Sequence, residues 1–209
     1  ILADLGISSH QIDNPERGFS FKSETSLDMR MDVRNPRTAS GILNSYRPEE
    51  LTRVFRDYGE LEKGASISSA IVEARGVDPI NTTGRLEEVL KKFIPGKNPS
   101  KFMARIYQAL RIEVNQELQS LREMLLQTPD CLATGGRLVV ITYHSLEDRM
   151  VKNFMRSGNL EGVVRKDFYG NVLSPWKLVN RNVITPSPGE MADNNRARSA
   201  ELRIAERTG

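Results

Sequence analysis

Cysteine and histidine are almost missing from this chain of 209 residues, which holds one cysteine, Cys131, and two histidines, His10 and His144. A single thiol excludes an intrachain disulfide framework. Two separated histidines with no cysteine partners leave no ligand spacing for a structural zinc. A metal-free protein working in a reducing, cytoplasmic compartment is expected. No apolar run approaches the roughly 20 residues that span a bilayer, and the start lacks the basic-then-apolar pattern of a secretory leader. No membrane partner is therefore expected. The P-loop pattern G-x-x-x-x-G-K-[ST] is absent, which disfavours phosphoryl transfer on a Walker-type loop. The strained G-x-S-x-G turn is absent too, so the few Ser, His and Asp residues do not make a serine hydrolase. Charge of one sign is also scarce: 30 Lys and Arg against 27 Asp and Glu give +3, equally compatible with a polyanionic partner and with ordinary solubilising charge.

What is present is enough for a globular core, with 38% hydrophobic and 27% charged residues. Ile1-Leu2-Ala3-Asp4-Leu5-Gly6 and Arg137-Leu138-Val139-Val140-Ile141-Thr142-Tyr143 read as two strands without polar alternation, hence central in a parallel sheet. Lys177 to Ile184 and Ala200 to Ala205 read as closing strands. The apolar stripe Ile106, Leu110, Val114, Leu118, Leu121, Leu125 predicts one long helix from about Lys101 to Gln127. Three shorter helices are expected: after Pro48, near Ala65 to Arg75, and from Thr82 or Thr83 to Pro95. Ser145-Leu146-Glu147-Asp148 resembles a capping box opening a further helix that carries Val151, Phe154 and Met155 inward. The expected class is α/β, with residues 1–35 and 101–209 forming the sheet domain and 36–100 an inserted helical subdomain. The apolar opening at Ile1 reads as a buried strand whose neighbours lie upstream, so the first strands of the sheet are expected to be absent from this chain. Alone, such a piece is expected to bind a cofactor poorly and to self-associate through its open edge.

Ligands of open parallel sheets bind beyond the carboxyl ends of the strands. Polar clusters follow both central strands there: Asp4 to Gln11, and His144 to Arg149. Each residue has a plain structural reading as well, with Asp4 and Gly6 as a turn, Ser8 and Ser9 as caps, and His144 and Ser145 as a helix start.

Several long blocks go further. Asp4-Leu5-Gly6-Ile7-Ser8-Ser9-His10-Gln11-Ile12-Asp13, Pro15-Glu16-Arg17-Gly18-Phe19-Ser20-Phe21 and Leu27-Asp28-Met29-Arg30-Met31-Asp32 follow one another near the start. Later come Tyr107-Gln108-Ala109-Leu110-Arg111-Ile112-Glu113-Val114-Asn115, His144-Ser145-Leu146-Glu147-Asp148-Arg149 and Asn195-Arg196-Ala197-Arg198-Ser199-Ala200-Glu201-Leu202-Arg203. Together they resemble the MraW-type S-adenosylmethionine-dependent RNA methyltransferases over essentially the whole chain. The resemblance implies a Rossmann-like methyltransferase sheet with an inserted all-helical substrate-recognition subdomain. It also implies N4-methylation of a cytidine in the decoding region of small-subunit (16S) ribosomal RNA, with the rRNA or the assembled small subunit as partner and a homodimer conceivable. Asp4 and Gln11 match cofactor-contacting positions of the family, whose Gly-Gly-His loop, acidic residue and aromatic would lie upstream of Ile1. The contrasting reading is a noncatalytic RNA-binding or assembly module derived from such an enzyme.

An exocyclic amine attacks poorly because its lone pair is delocalised into the ring, so acceptors are needed on its hydrogens. By position, Asp4, Ser8, Ser9 and His144 are the candidates. The family of amino methyltransferases with a Pro-Pro-aromatic loop differs here, because this chain lacks the two prolines. Lys97, Lys101, Arg105, Arg196, Arg198 and Arg203 are expected to hold phosphates, or else to form a solvated face. Gln108, Arg111 and Asn115, at spacings of three and four, read as a hydrogen-bonding seam directed toward the upstream half. Methylation at a ring carbon of cytosine would need a cysteine adding to the base, and Cys131 precedes the second strand, at the amino end of the sheet. Cys131→Ser in the intact enzyme is expected to leave the initial rate of methyl transfer nearly unchanged in a radiolabelled-methyl assay. An abolished reaction would assign carbon methylation instead.

Overall fold

The computed structural model describes residues 1–21 and 24–208. Along the chain run β1 (Leu2–Asp4), α1 (Ser9–Asp13), α2 (Ala39–Ser45), α3 (Pro48–Asp57), α4 (Gly64–Arg75), α5 (Thr83–Leu90), α6 (Pro99–Asn115) and α7 (Glu117–Cys131). Then follow β2 (Arg137–Thr142), α8 (Ser145–Ser157), β3 (Trp176–Leu178), α9 (Pro188–Asp193) and β4 (Glu201–Arg207). Two compact units divide the chain: a sheet unit of Ile1–Gly6 with Leu118–Gly209, and a helical unit of Ile7–Glu117. The helical unit is thus wider than the 36–100 expected, because the Asp28 and Met29 region hydrogen-bonds to α2 and α6 rather than to the sheet.

The sheet has the order β1-β2-β4-β3. β1 runs parallel to β2, with Leu2 opposite Val139 and Asp4 opposite Ile141. β4 is antiparallel to both β2 and β3. The two central strands are parallel as expected, and the closing strands, whose direction the sequence left open, make the sheet a mixed one. β2 lies inside the sheet, but only its Leu138, Val140 and Thr142 are fully buried, against Leu121, Leu125, Val151, Phe154, Met155 and Trp176. Among the described residues β1 pairs on one side only and Leu2 is 70% exposed, the open edge expected beside it.

The long helix is corrected as well. Gln116 takes the left-handed conformation (φ 52°) and separates α6 from α7. Carbonyls left open at the end of α6 are met by side chains, that of Glu113 by Arg37 and that of Val114 by Asn35, while the Asn115 amide adds a bond to the Arg111 carbonyl one turn back. One apolar stripe serves two cores in consequence. Ile106, Leu110 and Val114 enter the helical core with Leu43, Phe55 and Ile71, while Leu121 and Leu125 enter the sheet core.

The polar seam of α6 bonds within the helical unit. Gln108 donates to the Tyr58 carbonyl, Arg111 pairs with Glu117 at 2.8 Å, and Asn115 donates to Met29 and accepts from the backbone N–H of Met31. Near it, the largely buried Glu113 carboxylate accepts from Tyr46 at 2.8 Å and pairs with Arg53 at 2.9 Å. Burial first, then that bond, pushes the Tyr46 hydroxyl up to about 12. The three helices expected between 48 and 95 are present as α3, α4 and α5; α2, with only seven residues, escaped its own weak periodicity.

Gly18 ends a short 3-10 turn over Pro15–Arg17 in the left-handed region (φ 68°). A Cβ there would stand 2.4 Å from the Ser26 carbonyl oxygen and 2.9 Å from the Asp28 nitrogen. Both neighbours are backbone, so neither yields. Gly18→Ala is expected to lower unfolding stability by about 2–4 kcal/mol through left-handed strain plus overpacking, read by chemical denaturation; a loss within experimental error would remove the steric role assigned to this glycine.

Candidate functional site

Parallel pairing brings the carboxyl ends of β1 and β2 to one edge of the sheet unit. Asp4 ends β1, and its Oδ1 accepts from the Tyr143 hydroxyl at 2.9 Å. Desolvation and then this bond push the Tyr143 phenol up to about 12, so it is a committed donor at neutral pH. The second Asp4 oxygen has no partner among the described residues. Gly6 follows in a positive-φ conformation (88°), with the Tyr143 ring at van der Waals distance from where its Cβ would be. A backbone without a side chain thus adjoins a half-engaged carboxylate.

After β2 the chain turns into α8 by a cap that differs from the expected one. His144, not Ser145, occupies the N-cap position in extended geometry (φ −147°, ψ 160°). Its Nδ1 accepts from the Glu147 backbone N–H at 3.4 Å, and the Glu147 carboxylate reaches back to the backbone N–H of Tyr143 at 2.9 Å. The box is shifted one residue because an imidazole nitrogen replaces a hydroxyl as acceptor. His144 Nε2 lies 3.3 Å from the other Glu147 oxygen, yet without the alignment of a hydrogen bond. The contact is therefore electrostatic proximity and no more. Both side chains are nearly fully buried.

One helical turn onward, Asp148 receives two hydrogen bonds from Arg203 on β4, at 2.5 and 2.9 Å. Burial raises the Asp148 carboxyl, but Arg203 by hydrogen bond and charge outweighs it, and the net shift is downward. Glu201 is pushed upward, first by burial and then by the adjacent Asp148 charge. The two acids thus act in opposite senses on stability.

The other expected site residues are placed as follows. Ser8 caps α1: its Oγ accepts from Gln11 N at 3.3 Å, and Gln11 Oε1 accepts from Ser8 N at 2.9 Å. Gln11 therefore spends its oxygen on the cap and keeps its NH2, for which no partner exists among the described residues. Ser9 is exposed at the first position of α1. Ser8, Ser9 and Gln11 belong to the helical unit, Asp4 and His144 to the sheet unit. Lys97 and Lys101 are exposed around the start of α6, and Arg105 stands 3.9 Å from Glu60. Arg196 and Arg198 are exposed in the 3-10 turn before β4. Arg203 is not available as a free phosphate ligand, because Asp148 occupies its guanidinium. Tyr143 and Glu147 had no individual signal in sequence; their place directly after a strand, beside the polar cluster, was the one clue.

Because the Glu201 pKa is raised in the folded state, its favourable contribution is complete below its unfolded value and is lost as pH rises through the folded one. Glu201→Gln is therefore expected to raise the melting temperature relative to the parent by an amount that is absent below the ordinary value of 4.5, grows as pH rises through the raised folded value, and then stays constant. A difference independent of pH would sink the assignment.

The model of the MraW methylase family matches residues 1–208. A protein of Phocaeicola vulgatus named ribosomal RNA small subunit methyltransferase H is 54% identical over 207 residues, covering 99% of this chain and 68% of that relative. Proteins of the same name from Bacteroides thetaiotaomicron (52%) and Flavobacterium johnsoniae (53%) align over the same 99% of the chain and 68% of their own length. With a family match running through both units and half of all positions shared with curated relatives, the chain belongs to the MraW methylase family.

Proposed function

We propose that this chain provides the greater part of an S-adenosylmethionine-dependent methyltransferase that modifies the N4 amino group of a cytidine in the decoding region of small-subunit ribosomal RNA. The names of its relatives support an rRNA methyltransferase, and the blocks that resemble the family support the finer reading. The observation that carries it is the half-engaged Asp4 carboxylate at the end of β1, held by a phenol that stays protonated.

The residues present fit the cofactor in part. Asp4 offers an acceptor at a strand end, Gly6 leaves the backbone there approachable, and Gln11 retains an amide donor. Asp4 and Gln11 would hold S-adenosylmethionine, which supplies a methyl group activated by its sulfonium. Everything else falls to the protein. Tyr143 fixes the Asp4 carboxylate in one orientation, so that no reorganisation is required when charge moves nearby. Asp4, Ser8 and Ser9 are the side chains assigned to accept hydrogens of the attacking amine. His144, with both nitrogens turned on Glu147, is assigned to holding the start of α8. Phosphate contacts are assigned to Lys97, Lys101, Arg105, Arg196 and Arg198.

The test is nucleoside analysis of small subunits from cells lacking the modification, after incubation with the full-length protein that carries this chain and methyl-labelled cofactor. Labelled N4-methylcytidine is expected. Asp4→Asn is expected to cut the rate by about 100-fold or more, the range of a lost positioned polar group. Label in 5-methylcytidine, or full activity of the asparagine variant, would overturn the assignment of N4 chemistry or of Asp4 respectively.

A further inference from the structure

At the β4 and β3 end of the sheet unit lies a pocket of about 90 Å³ lined by Lys152 and Arg156 of α8, Leu178, Asn180 and Arg181 at and after β3, and Arg203 and Ile204 of β4. At about 30 Å³ per water, it has the room of a small polar group rather than of a base. Four of its seven lining residues are cations. Lys152 and Arg156 stand four apart on one helix face, a like-charge spacing that disfavours the helix and that a bound anion would relieve.

The acids nearby form no ion pair with Lys152, Arg156 or Arg181. Asp148 accepts both hydrogen bonds of Arg203, and Lys152 feels Asp148 and Glu201 only at longer range, with no salt bridge from any of the three cations to either acid among the described residues. The Arg156 guanidinium donates to the carbonyl of Gly162, a neutral acceptor. Arg181 has no partner among the described residues. Between residues 149 and 182 stand seven Lys and Arg against two Asp and Glu, a local surplus larger than the +3 of the whole chain. Of those two acids, Asp167 spends its carboxylate on the backbone N–H groups of Tyr169 and Asn171 and on the Asn171 amide. One feature of the wall is of the opposite kind: Asn180 Oδ1 is a buried acceptor without a donor, while its Nδ2 donates to the Asn182 carbonyl. Cationic donors beside one unmet acceptor match a phosphate next to a hydroxyl, which is the repeating chemistry of the RNA backbone.

We infer that this pocket holds one phosphodiester of an RNA strand, with Lys152, Arg156 and Arg181 as its donors and Asn180 as acceptor of the adjoining ribose 2′-hydroxyl. Arg203 shapes the wall through Asp148 and stays paired. The inference rests on the reading of the protein as an RNA-modifying enzyme. It adds a phosphate clamp in the sheet unit, remote in sequence from the basic residues of α6.

Fluorescence anisotropy with a short labelled single-stranded RNA, and with DNA of the same sequence, tests it across about 50 to 300 mM salt. The variant Lys152→Gln/Arg156→Gln/Arg181→Gln is expected to bind RNA about tenfold more weakly, with a log-log salt slope shallower by about 0.7, the value for one phosphate on a single strand. All three side chains are exposed, so its melting temperature is expected to stay with the parent. Asn180→Ala is expected to bring RNA and DNA affinities together. Unchanged affinity and slope in the triple variant would remove the pocket from the interface. A melting-temperature rise with inorganic phosphate at fixed ionic strength, lost in the triple variant while RNA binding persists, would make it a free-anion site and overturn the RNA assignment. An unaltered RNA preference in Asn180→Ala would sink the hydroxyl contact. If the parent protein binds no RNA at all, the reading of the enzyme itself fails; if it binds and the variants bind alike, only the pocket does.

Discussion

The backbone of β2 is satisfied on one side by a parallel strand and on the other by an antiparallel one, and the sheet unit is organised by that double pairing. Hydrogen bonds of a buried strand must be met in full, so β1 and β4 are fixed in register along its length. Parallel pairing then places Asp4 beside the end of β2, where Tyr143 reaches it. Antiparallel pairing places Arg203 and Glu201 beside the start of α8, where Asp148 meets them. Both polar clusters thus follow from the register of one six-residue strand.

The helical unit rests on a different device. Its apolar core is continuous from Leu27 to Val114, but the geometry at the end of α6 is held by polar groups: Asn35 and Arg37 on open carbonyls, Asn115 on the Arg111 carbonyl, and Glu113 between Tyr46 and Arg53. Buried polar groups of this kind stabilise little in net terms and cost heavily when one partner is lost, so they fix a conformation more than they add to its stability. The left-handed Gln116 is tolerated because these bonds over-determine the turn around it.

Charge is distributed by role. Bidentate pairs such as Asp28 with Arg30, Arg111 with Glu117 and Asp148 with Arg203 tie segments together. Lys152, Arg156 and Arg181 instead converge without carboxylate partners of their own around a small pocket, the arrangement expected of groups whose counter-charge comes from outside. A net charge of +3 conceals this, since it averages paired and unpaired cations.

The sequence alone determined the elements with strong periodicity or firm punctuation: β2 after Gly135-Gly136, α3 after Pro48, α4 up to Gly76, α5 after Thr82, and the buried positions Val151, Phe154 and Met155 of α8. It also determined the family, through long blocks on both units. Local propensity and pattern act within a few residues, so these features need no knowledge of what lies across space. Only tertiary structure decided the rest. The stripe from Ile106 to Leu125 keeps helical period throughout, and nothing local shows that Gln116 divides it between two cores. Ser145 carries the usual capping hydroxyl, yet His144 takes the cap because β2 delivers that residue in extended geometry. Arg203 reads as a free cation until the antiparallel register of β4 sets it against Asp148, and Lys152, Arg156 and Arg181 read as scattered surface charge until α8, β3 and β4 fold around one pocket. Pairing across the sheet is a long-range choice, and side chains acquire their partners only after it is made.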